Sequence, residues 1–177
     1  LVSLCLERST GRELWRATAP HSSLEPVHRI GSPAAPTPCT DGERVFVYFG
    51  SYGLLAYDWN GREVWKRPMP PPVVEFGTGT SPIVADGLVY VVVDQDAGSH
   101  LLALDAKTGN EVWRTDRSEF RRSFSTPFLW EHDGVKELVV AGSLWVRAYD
   151  LKTGKQLWSA RGMARVANAS PIAANGL

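Results

Sequence analysis

The sequence predicts an all-β fold, a β-propeller of four-stranded antiparallel blades present as about half of a ring. Three observations carry this. A motif ending in tryptophan recurs at Trp15, Trp65, Trp113 and Trp158, spaced 50, 48 and 45 residues, the period of a four-stranded blade and too long for leucine-rich or ankyrin-type units. A second marker, Ser or Thr before Pro, recurs at Thr37-Pro38, Ser81-Pro82, Thr126-Pro127 and Ser170-Pro171, spaced 44, 45 and 44. The run Leu88 to Val93 is apolar at nearly every position, so both faces of that strand are covered. Stacked blades cover both faces, whereas a two-sheet sandwich leaves one face wet and alternates.

The elements follow in order from the clearest copy. Strand A follows Pro82; the Asp86-Gly87 turn leads into strand B, Leu88 to Val93; strand C is His100 to Leu104; strand D is Glu111 to Thr115. Applied to the whole chain, this places strands C and D of one blade over 1–19, blades over about 34–67, 79–116 and 124–160, and strand A of a further blade over 168–177, where Asn175-Gly176 aligns with the turn into strand B. That count gives fifteen strands and an unclosed ring, whose open blade faces need the rest of the ring to cover them.

Each motif position has a physical reason. Ala56, Ala103 and Ala148 are small, so a neighbouring ring can approach the sheet. Asp58, Asp105 and Asp150 can accept bonds from the turn between strands C and D, and Gly11, Gly61, Gly109 and Gly154 supply the positive φ that closes it. Trp15, Trp65, Trp113 and Trp158 then lie on the outer strand as clamps between one blade and the next. The first copy departs from the pattern, with Cys5 and Glu7 at the Ala and Asp positions.

Composition bounds the function. In 177 residues, 44% hydrophobic and 21% charged, the chain has the makeup of a folded domain. Lys plus Arg and Asp plus Glu both number 19, so no net field favours a nucleic acid or an anionic membrane. No apolar run reaches the length of a membrane span. Cys5 and Cys39 cannot form a disulfide framework and lack neighbouring ligands for a metal. No leader is visible ahead of Leu1.

The pattern Ala-x-Asp-x-x-x-Gly-x-x-x-Trp resembles the tryptophan-docking motif of the pyrroloquinoline quinone (PQQ) propeller family. The resemblance covers essentially the whole chain and is specific for the fold, not for the cofactor. It implies an eight-bladed ring and an extracytoplasmic place, periplasmic or attached to the envelope. The family includes quinoprotein alcohol dehydrogenases and the propeller lipoprotein of the outer-membrane barrel assembly machine, and the chain is more similar to the lipoprotein. For a dehydrogenase the resemblance implies a PQQ ring with calcium held by Glu and Asn side chains, and an Asp base; no such ligand set can be placed here residue by residue.

In a propeller the crossings from strand D to the next strand A carry ligands and partners towards the central channel. Here they are 16–35, 66–80, 114–125 and 159–169. The first holds His21, Glu25 and His28, a trio able to ligate a metal or move a proton, set against a loop-packing role. The second holds Pro68, Pro70, Pro71 and Pro72, a stiff spacer or a ledge for a partner, then Glu75 and the run Gly77-Thr78-Gly79-Thr80, which lacks the Lys of a phosphate loop. The third and fourth carry Arg117, Arg121, Arg122, Arg161 and Arg165, which could grip a carboxylate, a phosphate or an acidic peptide if they converge, or could be solvated and paired with Asp116 and Glu119. Asn168-Ala169-Ser170 fits a glycosylation sequon but precedes Pro171. The residues expected on the channel face are thus Glu25, His28, Glu75, Arg121, Arg122, Arg165 and Asn168.

The leading expectation is a non-catalytic, protein-binding or scaffolding propeller of the bacterial envelope, with no demonstrable cofactor. Its alternatives are a PQQ- and calcium-dependent alcohol or sugar dehydrogenase whose site lies in the other half, and a sensor propeller fused to a signalling kinase.

Overall fold

The structure is a computed structural model that describes residues 1–21 and 23–174. The described residues form fourteen strands in antiparallel meanders and no helix, so none is long and apolar enough to cross a membrane. A two-stranded sheet, β1 (Val2–Leu6) and β2 (Glu13–Thr18), is followed by three four-stranded blades. Blade I is β3 (Cys39–Thr40), β4 (Arg44–Phe49), β5 (Gly53–Asp58) and β6 (Glu63–Pro68). Blade II is β7 (Ile83–Ala85), β8 (Leu88–Val93), β9 (His100–Asp105) and β10 (Glu111–Asp116). Blade III is β11 (Phe128–His132), β12 (Val135–Ala141), β13 (Trp145–Asp150) and β14 (Gln156–Arg161). The fold is a partial propeller. The expected strand after Pro171 is not formed over 172–174, and the turn expected at Asn175-Gly176 lies outside the described residues.

The core lies between the blades. Along β4, Phe46 and Tyr48 face forward onto Val89, Val91 and Leu102 of blade II, while Val47 and Phe49 face back onto Ala19 and Trp15. In blade II, Tyr90 and Val92 face forward onto Leu138 and Val140 of blade III. Side chains still alternate with the period of a strand, yet both faces meet a neighbour, which is why these strands read as unbroken apolar runs.

Register explains the alanines. One row across blade I pairs Phe46 with Ala56 and Ala56 with Trp65; the same row in blade II pairs Tyr90, Ala103 and Trp113. The alanines are fully buried, and the flanking rings lean over them to centroid distances of 5.9 Å in both blades. Beside each row the outer strand carries an extra residue: Leu14, Val64, Val112 and Leu157 have no cross-strand partner and stand 45–50% exposed. Such a bulge on an outer strand twists it away from edge-to-edge pairing.

The turn residues behave as a unit. The Asp105 carboxylate accepts from the Lys107 and Thr108 amides at 3.0 and 2.8 Å and from the Thr108 hydroxyl at 2.9 Å, and Asp150 does the same with Lys152 and Thr153. These bonds hold both carboxyls below the usual carboxylate range, the Thr hydroxyl being the largest cause. The tryptophans then reach across blades. Trp15, Trp65 and Trp113 donate their indole N–H to the carbonyls of Trp59, Ala106 and Leu151, each the residue after the motif Asp of the next blade, at 3.0, 2.9 and 2.9 Å. Trp158 donates to Glu137 of its own blade at 2.6 Å.

The Ser/Thr-Pro marker is also an inter-blade device. Thr37 N–H donates to the Ser81 hydroxyl, Ser81 N–H to the Thr126 hydroxyl, and Thr126 N–H to the Ser170 hydroxyl, at 2.8, 3.1 and 2.9 Å. Each proline follows the residue that makes these bonds, fixing φ and giving up a donor that the short inner strand does not use. Successive blades are therefore tied at both ends of the sheet, by hydroxyls where strand A begins and by indoles on strand D.

Candidate functional site

A meander of four strands returns its B–C turn and its D-to-A crossing to the same end of the blade, and its A–B and C–D turns to the other. The crossings and B–C turns thus share one loop face. On it, a cleft of about 490 Å³ is built from three crossings and one turn. Glu75 and Phe76 come from the crossing out of blade I, Asp96 from the B–C turn of blade II, Arg121 and Arg122 from the crossing out of blade II, and Arg165 with Val166 from the crossing out of blade III.

Arg122 is the fixed member. Its Nε and Nη2 donate to the two oxygens of Asp96 at 2.8 and 2.7 Å, and Nη1 donates to Glu75 at 2.8 Å. Such a fork holds both planar groups in one geometry. The guanidinium also stands 5.9 Å from the Phe76 ring centre. Phe76 lies between His28, at 6.1 Å, and Phe124, at 6.4 Å, and remains 46% exposed. Arg121 and Arg165 are exposed and form no ion pair among the described residues.

Of the residues expected on the channel face, Glu75, Arg121, Arg122 and Arg165 are therefore brought together, and His28 flanks them through Phe76. Asn168 is exposed and outside the cleft lining. Glu25 is elsewhere and buried, at 4% exposure. Its carboxyl accepts from the Thr78 hydroxyl at 2.7 Å and its amide donates to Ser51, while Oε1 has no protein partner. Gly50 leaves room for it: a Cβ there would come within 2.5 and 2.6 Å of the two carboxyl oxygens. Burial pushes the carboxyl above the usual range, and the bonds from Thr78 only partly offset this.

The trio His21, Glu25 and His28 does not converge. His21 is exposed and bonded to the Ala19 carbonyl, Glu25 is buried, and among the described residues no group of three His, Cys, Asp or Glu side chains is placed to hold a metal.

The arginine pairings differ from the expected ones. Arg117 is fully buried and bound to Asp94, Nε to Oδ1 at 2.8 Å and Nη2 to Oδ2 at 2.7 Å; it also donates to the Tyr149 hydroxyl and lies 4.1 Å over the Phe120 ring. Glu119 pairs with Arg147, and Asp116 accepts from the hydroxyl of Ser118. Asp94 was not visible as a partner in the sequence because it directly follows strand B, at the position where blades I and III carry Gly50 and Gly142. A lone charge breaking that glycine pattern was the available signal.

The family model described as outer membrane protein assembly factor BamB matches residues 2–175. Among curated relatives, subunit 1 of the methanol dehydrogenase [cytochrome c] of Methylobacterium organophilum is 29% identical over 127 residues, 60% of this chain and 19% of that protein. The same subunit of Paracoccus denitrificans is 26% identical over 148 residues, covering 70% and 22%. The chain thus spans about a fifth of the length of these relatives. Among solved structures, BamB from Moraxella catarrhalis superposes with a TM-score of 0.67 at 18% identity, over 93% of this chain and 48% of that one. A europium-containing methanol dehydrogenase gives 0.67 at 14% identity, over 87% and 36%. These likenesses establish the fold.

Proposed function

The chain belongs to the family described as outer membrane protein assembly factor BamB, and from that premise we propose that it is a non-catalytic propeller of the bacterial envelope that binds protein partners through its loop face. The observation that carries this is the convergence of three crossings on one cleft. It combines a fixed arginine, two arginines without an ion pair among the described residues and a half-exposed aromatic ring, the residue types that anchor protein interfaces.

The dehydrogenase relatives raise the alternative of a PQQ and calcium site, and the donor set among the described residues does not fit one. Calcium takes six or more oxygens, several of them anionic. The two buried carboxyls nearest the loop face do not supply such a set: Asp94 is spent on Arg117, and Glu25, already accepting from Thr78, offers a single free oxygen.

The test is site-specific photocrosslinking in cells with the full-length protein. A crosslinker at Phe76, on the loop face, is expected to capture a protein that also binds the purified full-length chain; one at Lys107, on the opposite C–D turn, is expected to capture none. Equal capture at both positions, or capture at Lys107 alone, overturns the assignment of the loop face.

A further inference from the structure

We propose that the loop-face cleft takes an acidic segment of a partner protein, with carboxylates on Arg121 and Arg165 and an apolar side chain against Phe76; this rests on the protein-binding reading above and specifies its ligand. The charge balance points to it. Arg122 is held between two carboxylates, Asp96 and Glu75, so the fixed network carries one net negative charge, which Arg121 and Arg165 turn to one net positive charge for the cleft. Arg121 and Arg165 add two guanidinium groups that pair with nothing among the described residues. Guanidinium forks suit planar carboxylates.

Shape and apolar surface narrow the ligand further. The lining includes Phe76, at 46% exposure and in ring contact with His28 and Phe124, and Val166, at 38% exposure next to Arg165. A bare oxyanion has no use for an aromatic ring. A nucleic-acid backbone would meet Glu75, whose side chain is 68% exposed, and a chain whose basic and acidic residues balance at 19 each. A volume of about 490 Å³ holds a few residues of extended chain, not the flat face of a folded domain.

The experiment is fluorescence anisotropy on the full-length protein with a labelled peptide carrying Asp-Phe-Asp-Glu and a neutral counterpart carrying Asn-Phe-Asn-Gln. The acidic peptide is expected to bind about tenfold more tightly or better, and to lose that advantage in R121E/R165E and in the milder R121Q/R165Q, with K107E/K152E on the opposite face unchanged. Phe76→Ala is expected to weaken both peptides. Equal binding of the two peptides, or an acidic preference that survives R121Q/R165Q in folded protein, overturns the proposal. Displacement of the acidic peptide by inorganic phosphate at matched ionic strength also overturns it, as a general anion site. If a partner is captured at Phe76 but the acidic peptide does not compete with it, the ligand class is wrong and the protein-binding reading stands. If the crosslinks place partners on the opposite face, the reading itself falls.

Discussion

The indole of Trp65 lies on Gly109 of the following blade so closely that a Cβ on the glycine would come within 2.6 Å of the ring, and Trp15 stands in the same relation to Gly61. The glycine closing each C–D turn therefore has two duties. Its φ of +72° admits few L side chains, and its missing side chain is the seat for the previous blade's clamp.

Gly109→Ala should accordingly cost about 3 kcal/mol or more, combining αL strain with overpacking. Gly87→Ala, at a similar φ of +80° but with nothing within 4 Å of its Cβ, should cost only about 1 kcal/mol. Denaturant unfolding of the full-length protein separates the two, and equal losses would mean that the ring contact carries no weight.

Arg117→Met alone should destabilise by about 3–5 kcal/mol, because it leaves Asp94 charged, buried and unpaired. Adding Asp94→Leu should recover much of that loss. A double-mutant cycle by chemical denaturation checks this, and additive losses would contradict a coupled pair.

Glu25 gives a pH dependence of definite sign. Below the ordinary glutamate value of 4.5 its carboxyl is neutral whether folded or unfolded, and its contribution to stability is complete. As pH rises through the raised native value the folded state must ionise a buried group, so that contribution is lost. Unfolding measured from pH 4 upward should show wild type losing ground steadily to Glu25→Gln; parallel curves would place the carboxyl in water.

The hydroxyl chain along the inner strands predicts that Thr126→Val, which removes the acceptor of the Ser81 N–H, costs about 1 kcal/mol. Thr108→Val, in an exposed turn, tests the local bond to Asp105 instead and should cost less. A larger loss at Thr108 than at Thr126 would reverse this ranking of the two devices.

The fold was legible because its markers are local and periodic. Asp58, Asp105 and Asp150 act on their own turns, and an apolar run such as Leu88 to Val93 reports burial on both faces wherever the neighbours stand. What Ser81, Thr126 and Gly109 do for the adjacent blade was not legible, since each bond or contact joins residues some 44 positions apart and only their shared period was in view. The cleft was half legible: topology sends Glu75, Arg121, Arg122 and Arg165 to one face, while their pairing depends on Asp96, a turn residue with no motif to mark it. The pairing of Arg117 is hidden for the same reason, since Asp94 stands just after β8 and Arg117 just after β10, with no motif to join them.

The central proposal, a propeller that binds protein partners in place of quinone chemistry, is tested most directly by titrating the purified full-length protein with PQQ and calcium while recording the quinone absorbance and dye-linked alcohol oxidation. The account predicts no saturable spectral change and no oxidation above the protein-free control. Stoichiometric quinone binding with calcium-dependent turnover would contradict it.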